Sequence, residues 1–274
     1  MNPRRKLERL AQLPDEEISL SEGALWIAAE SRPDLDVPGC LARLHALAEK
    51  LRPGIASRLS QRAKIEALNE GLFNSEGYSG NSSDYSNPQN SDLDRVLETR
   101  LGIPITLSIL YVDIANRLDL RCRGVGFPGH FLVKAFPDET EVLIDPFAGQ
   151  TVDIADCKAR LARATKGRVA FQSQMLDATP SKEILQRLLR NLKLIYLRNK
   201  NYETALGCSE RILLLAGDDL SELRDRALIY RELDCAGAAL ADLDRYLAFK
   251  PRDPQAAALS GLAEALRKEA PTLN

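Results

Sequence analysis

The sequence predicts an α+β chain of 274 residues, with a helical N-terminal region, an α+β core and an all-α C-terminal array. Three observations predict it. Apolar residues recur at three- and four-residue spacing over residues 4–72, as on the buried face of amphipathic helices. Runs of period two lie between residues 123 and 145, as in half-buried strands. The last hundred residues repeat with a period of 34. These place a first domain at 1–179 and a second at 180–274.

In the N-terminal region, Leu7 and Leu10 mark a first helix. Ala24, Leu25, Ala28 and Ala29 mark a second, after a capping region at Ser19 and Ser21. Leu41, Leu44, Leu47, Ala48 and Leu51 mark a third. Pro33, Pro38, Gly39, Pro53 and Gly54 are expected to separate or end them, because proline and glycine interrupt helices. From Asn74 to Ser91 the chain is rich in Gly, Asn and Ser and has no period, a composition that by itself reads as a flexible loop. A loop of that length inside a compact domain is usually functional or disordered.

Asp92 to Arg100 reads as a short helix, and Gly102-Ile103-Pro104 opens a longer one that buries Leu107, Leu110, Tyr111, Ile114, Ala115 and Leu118. Proline suits the first turn of a helix, where its missing N–H costs nothing. Strands are expected at Arg123 to Val125, Gly129 to Phe136 and Glu141 to Asp145, the last two joined by a Pro-Asp-Glu-Thr turn. A helix around Asp156 to Arg163 follows.

In the last hundred residues Tyr196 matches Tyr230, Ala205 matches Ala239, Leu206 matches Leu240, Leu213 matches Leu247, and Gly217 falls where Pro251 sits. Paired helices at this period resemble tetratricopeptide repeats, in which small residues let two helices approach closely. A final helix, Pro254 to Lys268, is expected to cap the stack.

Composition restricts the chemistry. Lys plus Arg number 37 against Asp plus Glu 39, a balance that indicates no nucleic-acid partner, since such a surface normally shows as an excess of basic residues. No run of 18 apolar residues occurs and the N-terminus lacks an unbroken apolar stretch, so no membrane association and a cytoplasmic location are expected. Five widely spaced cysteines, at 40, 122, 157, 208 and 235, form no C-x-x-C pair and suggest reduced thiols. No metal-ligand cluster or Gly-rich phosphate loop appears, so no metal or cofactor is expected.

Only two histidines are present. His45 falls beside Leu44 and Ala48 on a helix and is expected to be partly exposed. His130 sits in the predicted hairpin with Asp145. If the hairpin centre lies between Asp138 and Glu139, Asp145 opposes Leu132, which shares a face with His130, and the imidazole and carboxylate become diagonal neighbours. A one-residue slip would separate them. A plain alternative is a core histidine, with Asp145 capping the turn before Pro146.

Several words of the sequence together resemble a known arrangement. They are Gly80-Asn81-Ser82-Ser83-Asp84-Tyr85, Asn90-Ser91, Arg100-Leu101-Gly102-Ile103-Pro104-Ile105-Thr106-Leu107-Ser108, Gly124-Val125-Gly126-Phe127-Pro128-Gly129-His130-Phe131 and Ile144-Asp145-Pro146-Phe147. With the repeats, they resemble the SirB-type family, in which a transglutaminase-like (papain-like) core precedes tetratricopeptide repeats. The resemblance implies a Cys nucleophile at a helix N-terminus, activated by His and oriented by Asp. The matching position here is Pro104, and no Cys lies between 86 and 121. Ser108 and Thr106 are the hydroxyls on that helix available to serve instead; both also suit plain helical hydrogen bonding. Cys40 opens a helix, where a thiol pKa can fall, but lies outside the core words.

The resemblance also implies an ordered loop whose Asn81, Asp84, Tyr85, Asn90 and Ser91 pack over His130, with Pro104 and Thr106 lining the same cleft. Two functions are compatible with this set. One is a pseudoenzyme that binds a protein or peptide through the cleft and the repeat surface. The other is an amide or ester hydrolase or acyltransferase using His130 and Asp145 with Ser108 or an activated water.

Overall fold

In a computed structural model, residues 2–138, 140–249 and 255–269 are described. The chain divides into two compact units, Met1–Leu188 and Leu189–Asn274.

The first unit begins with four helices, α1 (Pro3–Gln12), α2 (Leu20–Ser31), α3 (Val37–Ala56) and α4 (Gln61–Asn69), where spacing alone separates three. Each starts on a side chain that accepts from its own first turn: Asn2, Ser19, Asp36 and Ser60 take the N–H of Arg5, Glu22, Gly39 and Ala63. Helix α3 does not stop at Pro53 but carries it inside its last turn. A proline there forfeits one backbone bond near an end, and continuing the helix keeps Ile55 buried. Helix α4 passes directly into a wider π-helical turn at Glu70–Ser75.

The polar stretch that follows is ordered. It contains β1 (Ser79–Gly80) and a 3-10 turn at Pro88–Ser91, then leads into α5 (Leu93–Thr99) and β2 (Leu101–Gly102), which pairs in parallel with β1. Helix α6 (Pro104–Arg117) starts at the proline, and eleven of its residues, Pro104–Val112 with Ile114 and Ala115, are buried. It is the central helix of the unit, and Tyr111 within it donates to Asn69 Oδ1 at 2.7 Å.

An antiparallel meander follows: β3 (Cys122–Val125), β4 (Leu132–Ala135), β5 (Val142–Asp145) and β6 (Gln150–Val152), in spatial order β3-β4-β5-β6. Strand β6 has no strong signal in the sequence; a tight turn through Gly149, at φ 69°, brings Gln150 opposite Asp145. Val133 pairs with Ile144 and Lys134 with Leu143, which sets Leu132 opposite Asp145, the register expected from the hairpin. Glu139, at that hairpin's centre, lies outside the described residues. The face bearing Val125, Leu132, Leu143 and Val152 is covered by α7 (Ile154–Thr165) through Cys157 and Leu161. On that face alternate residues 143 and 145 point the same way, so Asp145 looks toward α7. The other face of β3 and β4 carries α6.

Helix α8 (Ser181–Arg198) contains the division between the units. Its first turn is capped by Asp15, which accepts from the N–H groups of Ser181 and Lys182. The second unit continues with α9 (Tyr202–Ala216), α10 (Leu220–Glu232), α11 (Ala236–Ala248) and α12 (Ala256–Glu269). Ala205 and Ala239, the matched small residues of the repeat, are fully buried. Ala227, Ala239, Leu243, Tyr246, Leu259, Ala263 and Leu266 form one core. Pro251 and Pro254, expected at the second repeat's end and the last helix's start, lie outside the described residues.

Candidate functional site

His130 does not lie on a strand. It closes a turn before β4, with its N–H donating to Phe127 O at 3.1 Å. Gly129 allows that turn at φ 71°, and a Cβ there would stand 2.6 Å from Ala164 Cβ, so only glycine fits. A second tie comes from α8: Arg187 Nη2 donates to Phe127 O at 2.9 Å and to His130 O at 2.5 Å, while its guanidinium lies 5.2 Å over the Phe131 ring.

Asp145 ends β5 and is fully buried. Its Oδ1 lies 3.0 Å from His130 Nε2 and also accepts from the backbone N–H groups of Phe147 (3.0 Å) and Ala148 (3.2 Å). The carboxylate therefore does both things the sequence left open: it meets the imidazole and caps the turn. Arg160, from α7, places Nη1 2.7 Å from Oδ2 in an ion pair that is not aligned as a hydrogen bond. Burial alone pushes the Asp145 carboxyl up; the His130 hydrogen bond and charge, the Arg160 charge and the Ala148 N–H outweigh it and hold it below its ordinary value.

Arg160 Nη1 is also 3.3 Å from His130 Nε2. One ring nitrogen thus faces a carboxylate and a guanidinium. In Ser-His-Asp hydrolases the carboxylate takes the Nδ1–H and leaves Nε2 as the base. Here the carboxylate stands at Nε2, which leaves Nδ1 as the remaining ring nitrogen, and among the described residues no hydroxyl or thiol is hydrogen-bonded to the ring.

The loop reaches this site through aromatic rings. Phe147 stands edge-on to His130, with centroids 6.2 Å apart, and Tyr85 stands edge-on to Phe147 at 6.0 Å. Gly80 lets Phe147 approach, since a Cβ would lie 2.4 Å from the ring, and Gly80 N donates to Phe147 O at 3.0 Å. Asn81, Asp84 and Asn90 order the loop itself. Asn81 Oδ1 accepts from Asp84 N and Ser83 Oγ, Asn81 Nδ2 donates to Asn90 Oδ1, and Asn90 Nδ2 donates to Asp84 O at 2.7 Å. Side-chain bonds to nearby backbone are how Asn and Asp shape such turns.

The hydroxyls behave differently. Thr106 is buried and donates to Asn90 O at 2.6 Å, locking α6 to the loop. Ser108 and Ser91 are each 1% exposed, and neither Oγ has a hydrogen-bond partner among the described residues. Pro104 is buried at the helix start. Two sets stand out among the expected residues, His130 and Asp145 with Tyr85 nearby through Phe147, and Thr106, Asn81, Asp84 and Asn90, which bond among themselves and to backbone; the side chains of Ser91, Pro104 and Ser108 make no such bond among the described residues.

Sequence reasoning missed Arg160 and Arg187. Both are basic residues on an apolar helical stripe, Arg160 beside Cys157 and Leu161, Arg187 beside Ile184 and Leu188, and that mismatch was the available signal. Thiols do not fill the nucleophile's place. Burial pushes Cys122 up to about 12 and raises Cys157, which lies near Arg160, as well as Cys40, whose helix start does not lower it. Cys208 and Cys235 belong to the second unit. His45 is exposed on α3. Among the described residues no three or more His, Cys, Asp or Glu side chains are grouped to hold a metal, and no helix is long and apolar enough to cross a membrane.

Residues 39–190 match the transglutaminase-like superfamily, and residues 192–264 match the tetratricopeptide repeat. The chain belongs to the SirB-type, transglutaminase-like family. Similar proteins include a UPF0162 protein of Xylella fastidiosa, 37% identical over 88% of both chains. A UPF0162 protein of Pseudomonas aeruginosa is 32% identical over 90% of both, and Protein SirB1 of Salmonella typhimurium is 29% identical over 90% of this chain and 93% of its own. No solved structure matches. Within this transglutaminase-like core, the turn bearing His130 and the end of β5 bearing Asp145 supply the pair that the family resemblance implies, while α6 opens with Pro104 at the position matched to the nucleophile.

Proposed function

We propose that this protein is a binding module, a transglutaminase-like pseudoenzyme that holds a peptide or protein partner on the His130 face and the repeat surface, and that it works in the cytoplasm. The observation that carries this reading is the missing nucleophile at the imidazole: Nε2 faces Asp145 with Arg160 alongside, and among the described residues no hydroxyl or thiol is hydrogen-bonded to the ring. A nucleophile needs its base within hydrogen-bond reach. The repeats support the partner half of the reading, since stacked helix pairs present extended surfaces that bind proteins. Five free thiols support a reducing compartment.

Retention of the His130–Asp145 contact at 3.0 Å favours a second reading, a hydrolase or acyltransferase that uses Ser108 or an activated water. Two experiments separate them. Fluorophosphonate and acyl-thiol probes are expected to give no His130-dependent labelling; labelling of wild type that disappears in His130→Ala would establish the enzyme. Capture of partners from lysate is expected to fall in His130→Ala, and equal capture by a folded His130→Ala protein would remove the His130 face from the binding reading.

A further inference from the structure

Arg187 is a half-buried guanidinium with no carboxylate partner among the described residues. Several buried or half-buried cations of the first unit have one: Arg32 meets Asp94, Arg117 meets Asp113, Lys134 meets Glu141 and Arg160 meets Asp145. Arg187 instead spends one amino group, Nη2, on the carbonyls of Phe127 and His130, and among the described residues its Nη1 and Nε have no acceptor. Burial pulls its pKa down, and the group that opposes this is the Tyr85 phenol on the ordered loop. A desolvated cation with unused donors is electrostatically incomplete, and an anion that approaches it gains more than at an exposed arginine.

Surroundings narrow the anion. Asp145 and Arg160 cancel one another, leaving Arg187 as the uncompensated charge beside His130, so one negative charge restores balance. Tyr85 is half exposed, and Phe147 beside it is partly exposed, so apolar surface stands next to the charge and solvent reaches both. A planar guanidinium pairs with a planar carboxylate through parallel N–H groups.

We propose that Arg187, with Tyr85 beside it, anchors a carboxylate of a bound peptide, either its C-terminus or an acidic side chain. This rests on the reading of the His130 face as a peptide site and names the group that face selects.

The test is titration of the full chain followed by the Arg187 Nε–Hε resonance, assigned with Arg187→Lys. N-Acetylglycine presents a terminal carboxylate, N-acetylglutamate α-amide a side-chain carboxylate, and N-acetylglycinamide neither. Saturable shifts are expected with one or both acids at millimolar concentration, and the tighter of the two names the source. Arg187→Lys, which keeps the charge but not the fork, is expected to weaken binding by roughly 10-fold or more, as loss of a charged hydrogen-bond pair does. Because Arg187 also ties the His130 turn, Tyr85→Phe serves as a second variant on the half-exposed loop and is expected to weaken the acids by about 2- to 5-fold. Absence of any shift with either acid, an equal shift with N-acetylglycinamide, or tighter binding of inorganic phosphate than of both acids would overturn the proposal. Partner capture distinguishes its failure from that of the parent reading: capture lost in His130→Ala but unchanged in folded Arg187→Lys keeps the binding module and removes the carboxylate anchor.

Discussion

The two units each bury a carboxylate with a cation and a hydrogen-bond donor, yet only one of these clusters is left open. In the second unit Lys193, 3% exposed, spends its donors on both oxygens of Glu222 (2.7 and 2.9 Å) and on Asp225 (2.9 Å), and Ser209 adds a donor to Glu222. Charge and hydrogen bonds are complete there, so the cluster joins helices α8, α9 and α10. In the first unit Asp145 is equally buried, but its partner His130 keeps 14% of its side chain exposed, a second guanidinium stands nearby without a counter-ion, and aromatic rings border the opening. Saturation marks a staple, and incompleteness is what the proposed binding site rests on.

The largest expected effect breaks the staple. Lys193→Ala leaves Glu222 buried without its cation and is expected to cost about 3–5 kcal/mol in thermal unfolding, whereas Lys193→Met with Glu222→Leu is expected to recover most of that loss. Recovery would show that the pair holds no function beyond packing. Asp145→Asn sharpens the other side of the comparison. It keeps a turn acceptor but removes the charge facing His130 and Arg160, and about 2–3 kcal/mol is expected in urea unfolding at neutral pH. Because the Asp145 carboxyl is held below its ordinary value, its share of stability is present above about pH 4 and is lost as pH falls through the lower folded value; the variant should flatten that acid limb.

Asp92 supplies the opposite sign. Burial pushes it up to about 6, Arg32 at 3.4 Å opposes the shift and Asp94 adds to it. The folded state therefore binds more protons than the unfolded one between roughly pH 4 and 6, so stability declines as pH rises across that window and is level above it. Asp92→Asn is expected to remove the decline and to gain on the order of 1–2 kcal/mol at pH 7, read from paired melts at pH 4 and pH 7. Tyr85→Phe is the smallest perturbation: its ring edge on Phe147 is retained, and stability should change by less than about 0.5 kcal/mol while partner capture falls. A large loss of stability would place Tyr85 with the staples rather than the site.

Much of this was legible in the sequence where one element carries its own signal. The helix at Pro104 starts there because a first-turn proline loses no bond, and the 34-residue period placed Ala205 and Ala239 where they are buried. Composition misled at the loop. Asn, Asp and Gly read as flexibility, but the bonds of Asn81 to Asp84 and of Asn90 to Asp84 use those same residues as local fasteners. Pro53 misled in the other direction, because one missing N–H near a helix end costs less than exposing Ile55.

The sequence by itself determined the periodic elements and offered the hairpin register that sets Leu132 opposite Asp145, while the Gly129 turn outside the ladder brings His130 to the carboxylate. Only the tertiary structure decided that Arg160 joins that pair from 30 residues away, that Arg187 reaches the His130 carbonyl across 57, that Nε2 is the nitrogen Asp145 holds, and that Thr106 spends its hydroxyl on Asn90. The physical reason is that periodicity reports which face of an element is buried, whereas the partner of a buried charge is set by which other element packs against that face.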